Sequence, residues 1–114
     1  MACKTTTTFL KTAAQTIRII DAVDSEYFGS ILDIGSLRTN EVYGEIEKLV
    51  PYAVSWQLKE EVANGVKTDL RKVKAIIDRA GYRGFLAIET LGSGDPKVKV
   101  AEFVSQVKTV FLST

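Results

Sequence analysis

The sequence contains no histidine among its 114 residues. This absence excludes Ser-His and Cys-His nucleophilic sites, the commonest general base, and nearly every zinc site. Acid–base or metal chemistry in this chain must therefore depend on carboxylates, amides, lysine or tyrosine.

Cysteine, long apolar runs and charge of one sign are also scarce. Cys3 is the only cysteine, so no disulfide can form within this sequence, and we expect a cytoplasmic protein. No apolar run approaches the roughly 20 residues of a membrane-spanning helix, so we expect no membrane partner. The 15 Lys and Arg residues are scattered among 14 Asp and Glu residues, for a net charge of +1. Without a basic patch, we expect no nucleic-acid partner.

Apolar residues make up 46% of the chain, which is enough for one folded domain over residues 1–114. Residues 1–8 contain four consecutive threonines and are predicted to be irregular, and residues 60–67 are predicted to form a loop. The predicted strands cover residues 30–35, 53–59 and 85–88. The predicted helices cover residues 9–23, the segment from Thr39 or Asn40 to Pro51, the segment from Thr68 or Asp69 to Gly81, and the segment from Asp95 onward. This alternation predicts an α/β fold with three parallel strands and four helices.

The most informative stretch is GYRGFLAIET, residues 81–90. Gly81 is the type of residue that ends a helix in the left-handed conformation. The apolar run over residues 85–88 is typical of a parallel strand that is covered on both faces. Glu89 then leaves the strand at its carboxyl end, the edge where α/β folds place their sites.

Three predicted strands carry a polar residue near the carboxyl end, namely Asp33, Gln57 and Glu89. Because side chains alternate along a strand, all three are predicted to share one face, while bulky residues such as Trp56 occupy the other. Three oxygen-bearing side chains at one rim could bind Mg²⁺ or Mn²⁺. In the alternative interpretation they are turn caps or solvated rim groups, with Gln57 bonded to loop backbone.

The runs ILDIG, YGEIEKLVPYAVSWQLKE and DLRKVKAIIDRAGYRGFLAIE resemble the last part of the sugar phosphate isomerase/epimerase family, the xylose isomerase-like TIM barrels. The resemblance implies a partial TIM barrel whose strands correspond to the sixth, seventh and eighth. It implies a divalent metal, Mn²⁺ or Mg²⁺, bound by Asp33, Gln57 and Glu89, and a sugar or small hydroxy-carbonyl substrate. Glu89 would also transfer the proton, and Lys59 would contact a substrate oxygen.

The sequence departs from this family at several positions. Gln57 and Ser36 stand where many members have histidine, and a further metal-binding Glu has no counterpart because residues 1–8 stand where its strand would end. We therefore expect weak metal binding and little isomerisation by the chain alone. We also expect self-association into a homo-oligomer, because the strand edges and inner faces lack partners. The alternative function is a non-catalytic barrel fragment that acts as an oligomeric assembly module. A barrel nuclease is disfavoured, because its metal cluster is rich in histidine.

Overall fold

The computed structural model describes residues 2–4 and 10–113. In this part of the chain the α/β class is confirmed. The helices are α1 (Ala13–Val23), α2 (Val42–Leu49), α3 (Leu70–Ala80) and α4 (Pro96–Phe111), and the strands are β1 (Ala2–Lys4), β2 (Gly29–Asp33), β3 (Ala53–Lys59), β4 (Glu61–Val62), β5 (Val66–Lys67) and β6 (Ala87–Glu89). None of these helices has the length and apolarity needed to cross a bilayer.

The main sheet has the strand order β1-β2-β3-β6, and every neighbouring pair is parallel. Strands that are joined by a helix are therefore also neighbours in the sheet, so the order does not reverse as it does in doubly wound folds. Right-handed crossovers in one direction place successive helices on the same face. Consistent with this, α1 contacts α2, α2 contacts α3, and α3 contacts α4.

Strand β1 corrects the prediction that residues 1–8 are irregular. Ala2 pairs with Gly29 of β2, and the paired segment is only three residues long. A segment this short shows no hydrophobic period, so only its pairing with β2 reveals it as a strand. Residues 5–8, which contain the threonine run, lie outside the described residues.

The predicted division of the sheet into two faces is confirmed. Leu32 lies beside Trp56 in the register, and Leu58 follows on the same face of β3. All three side chains are completely buried beneath the helices. The opposite face carries Ile31 and Ser55, which are only partly buried. The sheet is therefore covered by helices on one side and open on the other in the described part of the chain.

Strand β6 is shorter than the predicted run over residues 85–88. Pairing with β3 begins at Ala87, and Phe85 is 84% exposed instead of buried. The Tyr82 hydroxyl donates to the Phe85 carbonyl at 2.9 Å, which holds Phe85 outside the strand. The ring of Tyr82 lies 5.9 Å from that of Trp56, so the turn before β6 is anchored to β3.

Side-chain caps explain where two helices begin. Helix α1 starts at Ala13 and not at residue 9, because Thr12 and Gln15 form a reciprocal capping box. Helix α3 starts after Asp69, as predicted, and ends at Gly81 with φ = 67°.

Two other predicted boundaries are wrong. Helix α2 begins at Val42, and neither Thr39 nor Asn40 is its cap. Residues 60–67 are not a plain loop, because β4 and β5 pair as an antiparallel hairpin. Asn64 and Gly65 both adopt positive φ at its turn, as tight hairpin turns require. The strands of this hairpin are two residues each, too short to show alternation in the sequence.

We predict that Leu58→Ala lowers the free energy of unfolding by about 2–5 kcal/mol, because it leaves a cavity in the core. Val54→Ala is the matched control, since Val54 belongs to the same strand, at the register shift between β2 and β3, but is 56% exposed. The control should lower the free energy of unfolding by less than about 1 kcal/mol. Urea unfolding measures both, and equal losses would contradict the proposed burial of this face.

Candidate functional site

Lys59 lies between two carboxylates at the carboxyl ends of three neighbouring strands. Its Nζ is 3.0 Å from each carboxylate oxygen of Asp33, at the end of β2. The same nitrogen is 3.8 Å from Oε2 of Glu89, at the end of β6. The parallel register makes this contact, because Lys59 pairs with Glu89 directly.

The turn after β2 holds the Asp33 carboxylate in place. The Ser36 hydroxyl donates to Oδ2 at 2.7 Å, and the Gly35 amide donates to Oδ1 at 3.0 Å. Position 35 also favours glycine, because a Cβ there would lie 2.8 Å from Cδ of Lys59 and would displace that side chain. The turn therefore serves two purposes: it supplies donors to Asp33 and leaves space for the Lys59 side chain.

These contacts determine the ionisation of Asp33, which is 1% exposed. Burial by itself raises the pKa of the Asp33 carboxyl. The hydrogen bonds from Ser36, Lys59 and Gly35, together with the positive charge of Lys59, outweigh burial and lower the pKa below its usual 3.8. Asp33 is thus a stable anion at neutral pH.

The predicted site residues Asp33, Gln57, Lys59 and Glu89 all lie at this rim, but the role of Lys59 differs from the predicted one. Gln57 pairs with Asp33 in the register and with Ala87 on its other side. Its Oε1 is buried and accepts no hydrogen bond from the described residues. Lys59, predicted to contact substrate only, forms ion pairs with both acids. No three His, Cys, Asp or Glu side chains come together as metal ligands in residues 2–4 and 10–113.

Ser36 was noted in the sequence only as a replaced histidine, and the structure makes it a hydrogen-bond donor to Asp33. No sequence pattern indicated this contact, because it depends on how the turn after β2 folds back. The Oε2 of Glu89 is buried and accepts no hydrogen bond in the described part of the chain, but it forms the ion pair with Lys59.

The rim opens into a cleft of about 700 Å³ between the loops that follow the strands. Sequence reasoning missed two of its cations, Arg38 and Lys99, which line it from the β2–α2 loop and the first turn of α4. Lys99 pairs with Glu60 at 3.6 Å and donates to the carbonyl of Leu91. Their only sequence signal is that both follow strand ends, where α/β folds build their sites.

We predict that the melting temperature falls as the pH decreases from about 5 to 3, in part because of Asp33. The unfolded carboxyl takes up a proton near its usual pKa of 3.8, while the native carboxyl does so only at lower pH. The unfolded chain therefore binds more protons in this window, and stability falls with pH.

Asp33→Asn should make this pH dependence shallower, as measured by calorimetry across the window. Asp78→Asn is the control, because Asp78 is 60% exposed and pairs with Lys74 on the surface of α3. If both variants kept the wild-type slope, the contribution assigned to Asp33 would be wrong.

Comparison with known proteins assigns this chain to no family, because no protein-family model and no curated protein matches it. The function is therefore inferred from the residues of the rim.

Proposed function

We propose that the sheet is a segment of a TIM barrel of the xylose isomerase-like type, and that its rim isomerises or epimerises a sugar or small hydroxy-carbonyl compound. The observation that carries this proposal is the Lys59 ammonium held between Asp33 and Glu89 at the mouth of a cleft. The consecutive strand order, with helices in chain order on one face, supports the barrel. So does the likeness of the three sequence runs to that family, with β1 in the position of the strand before the sixth.

We assign the positive charge of this site to Lys59 and not to a metal ion. Both oxygens of Asp33 already accept hydrogen bonds, from Ser36, Gly35 and Lys59. A divalent cation placed between Asp33 and Glu89 would also lie against the Lys59 ammonium. Two unit charges of like sign about 4 Å apart repel by about 4 kcal/mol at an effective dielectric constant of about 20, and the double charge of a divalent ion doubles this repulsion. While Lys59 occupies this position, the residues do not suit a divalent metal.

The chemistry follows from the positions of the two groups that face the cleft. The ammonium of Lys59 donates a hydrogen bond to the carbonyl oxygen of the substrate and makes the adjacent C–H bond more acidic. The Glu89 carboxylate, which lines the cleft, removes that proton, and the electron pair of the C–H bond moves into an enediolate. Lys59 stabilises the negative oxygen that forms.

The fate of the proton decides the product. Its return to the former carbonyl carbon, while the hydroxyl proton passes to the former carbonyl oxygen, isomerises the substrate. Delivery of a proton from solvent to the opposite face of the original carbon epimerises it. Asp33 takes no part in the proton transfer. It fixes the position of Lys59 through contacts of 3.0 Å.

We predict that the protein exchanges the proton next to the carbonyl of a ketose or sugar phosphate with deuterium from D₂O. This partial reaction needs only one base, so it detects Glu89 even where complete turnover is slow. Glu89→Gln should reduce exchange by about 10²–10⁴-fold, the usual effect of losing a general base. Lys59→Met should reduce it as well, because the enediolate loses its cation.

Glu61→Gln is the matched control, because Glu61 lines the same cleft without contacting Lys59. It should leave exchange unchanged. NMR of a panel of aldoses, ketoses and their phosphates measures the rates. Exchange that is absent from the wild type, or equal in Glu89→Gln, would contradict the proposed activity.

We also predict that Lys59→Met binds Mn²⁺ at least about tenfold more tightly than the wild type, because the competing ammonium is gone. Asp33, Glu89 and the unpaired amide oxygen of Gln57 would then be available as ligands. Calorimetry measures the affinity. Lys99→Met is the control, since Lys99 lies in the same cleft but pairs with Glu60. Tight binding by the wild type would show that a metal and not Lys59 supplies the charge.

The alternative function, a non-catalytic assembly module, is favoured by exposed apolar side chains on α1 and α4. The two functions differ in the exchange experiment, since an assembly module needs no base at the rim.

A further inference from the structure

The outer side of α1 is apolar and exposed. Each residue of an α-helix advances about 100°, so Ile19 and Val23 lie close together on one side. Thr16 is fully buried and points towards the sheet. Ile17 lies on one side of Thr16 around the helix and packs against the core. Ile19 and Val23 lie on the other side of Thr16 and are 40% and 48% exposed. This side of α1 has no neighbouring helix in the described part of the chain.

The outer side of α4, at the other end of the helical layer, is also incompletely covered. Its apolar spacing predicts an inner face consisting of Val100, Val104, Val107, Val110 and Phe111. The structure confirms part of this face, since Val107, Val110 and Phe111 pack against the core, but the fully buried residue of α4 is Phe103, and Val100 is 37% exposed. On the helix, Lys99 lies on the side of the β4–β5 hairpin, where it pairs with Glu60. Val100 and Val104 lie on the other side of Phe103, in line with Val107 and Phe111, and this part of the stripe is only partly covered.

The sheet is open at the same two ends. Strand β1 pairs with β2 alone and β6 pairs with β3 alone within residues 2–4 and 10–113. The strands between them leave one face partly exposed, with Ile31 and Ser55 at its centre. Parallel sheets are normally covered on both faces, and a free edge invites another strand.

We propose that a second copy of this chain covers these surfaces and closes an eight-stranded barrel. Four parallel strands in chain order are half of the eight that close a TIM barrel. In the closed dimer, β6 of each copy pairs in parallel with β1 of the other, and α4 of each copy packs against α1 of the other. A twofold axis along the barrel relates the copies. This inference rests on the barrel assigned to the sheet under the proposed function.

Charge favours this arrangement over one that pairs like elements. Asp21, Asp24 and Glu26 are exposed around the carboxyl end of α1, and Lys108 is exposed near the carboxyl end of α4. Helices that connect parallel strands in the same way run in the same direction, so the closed dimer places Lys108 beside these acids. A contact between two α1 helices would bring acid against acid.

Closure also changes the site. The inner faces of the two sheets cover each other, and each copy's Asp33, Lys59 and Glu89 open onto one shared mouth. The partner thus supplies a second Glu89 on the opposite side of the barrel, a side that the single chain leaves without an acid. A small substrate is then shielded from water on both sides.

Light scattering coupled to size-exclusion chromatography tests the assembly. We expect a particle of twice the 12.5 kDa chain mass, with no larger species as the concentration rises. A monomer at high micromolar concentration would overturn the proposal. So would an open series of larger assemblies, since edges that pair without closing form filaments.

Ile19→Glu and Val100→Glu should each weaken the dimer at least tenfold, because they place a charge at the α1–α4 contact. Val66→Glu is the matched control, since Val66 is 58% exposed but lies on the β4–β5 hairpin and belongs to neither α1 nor α4. Circular dichroism checks that each variant folds. A dimer that is weakened equally by all three changes, or by none, would contradict the interface.

Cross-linking identifies which elements meet. Ile19→Cys and Ala101→Cys, each in a Cys3→Ser background, place thiols about one and a half turns into α1 and α4. A short bis-maleimide should link the two variants when they are mixed and should link neither variant to itself. Links within one variant alone would show pairing of like elements and overturn the closed barrel.

Deuterium exchange, measured on the same samples, separates this inference from the proposed activity. A closed dimer without exchange would reject the chemistry and keep the assembly. Exchange by a persistent monomer would reject the assembly and keep the chemistry.

Discussion

The ion pairs of Lys59 hold the ends of three strands together. A buried carboxylate is stable only when it is paired and hydrogen-bonded, and Asp33 has Lys59, Ser36 and Gly35 for this purpose. The same ammonium reaches Glu89, so β2, β3 and β6 are joined at one rim. The turn at Gly35 and the mouth of the cleft both depend on this contact.

The rest of the molecule is built asymmetrically around that rim. Helices bury Leu32, Trp56 and Leu58 on one side of the sheet, while the opposite side stays partly open. The incomplete coverage of α1 and α4 has the same origin, since each is an end member of its layer. The open sheet face and the two open flanks have one geometric origin, because a parallel sheet with consecutive strands has all its helices on one side and a free edge at each end.

The position of Lys59 also changes how the polar residues of the rim are understood. As a set of oxygens, Asp33, Gln57 and Glu89 suit a hard cation. With an ammonium between the two acids, the same residues suit the binding of a polar substrate oxygen and the removal of a proton. The Lys59 ammonium lies about 4 Å from the Glu89 carboxylate. At that distance its positive charge repels a second cation, and this repulsion decides whether a metal ion can enter.

Local signals in the sequence were sufficient for much of the fold. Strand β3 has the predicted bounds because its period of two is long enough to read, and Asp69 and Gly81 delimit α3 because their capping chemistry is local. Strand β1 and the β4–β5 hairpin were missed because segments of two or three residues have no readable period. Phe85 was wrongly predicted to be buried, because its apolar character is visible in the sequence but its missing cover is not.

The candidate site divides in the same way. Strand alternation and parallel order were enough to predict that Asp33, Gln57 and Glu89 share one face and one rim. No local pattern shows that Lys59 turns inward to both acids or that Ser36 and Gly35 bind Asp33, and these contacts appear only in the folded chain. These contacts depend on the register between strands and on the path of a turn. Both are set by packing across the sheet and not by the order of residues along one segment.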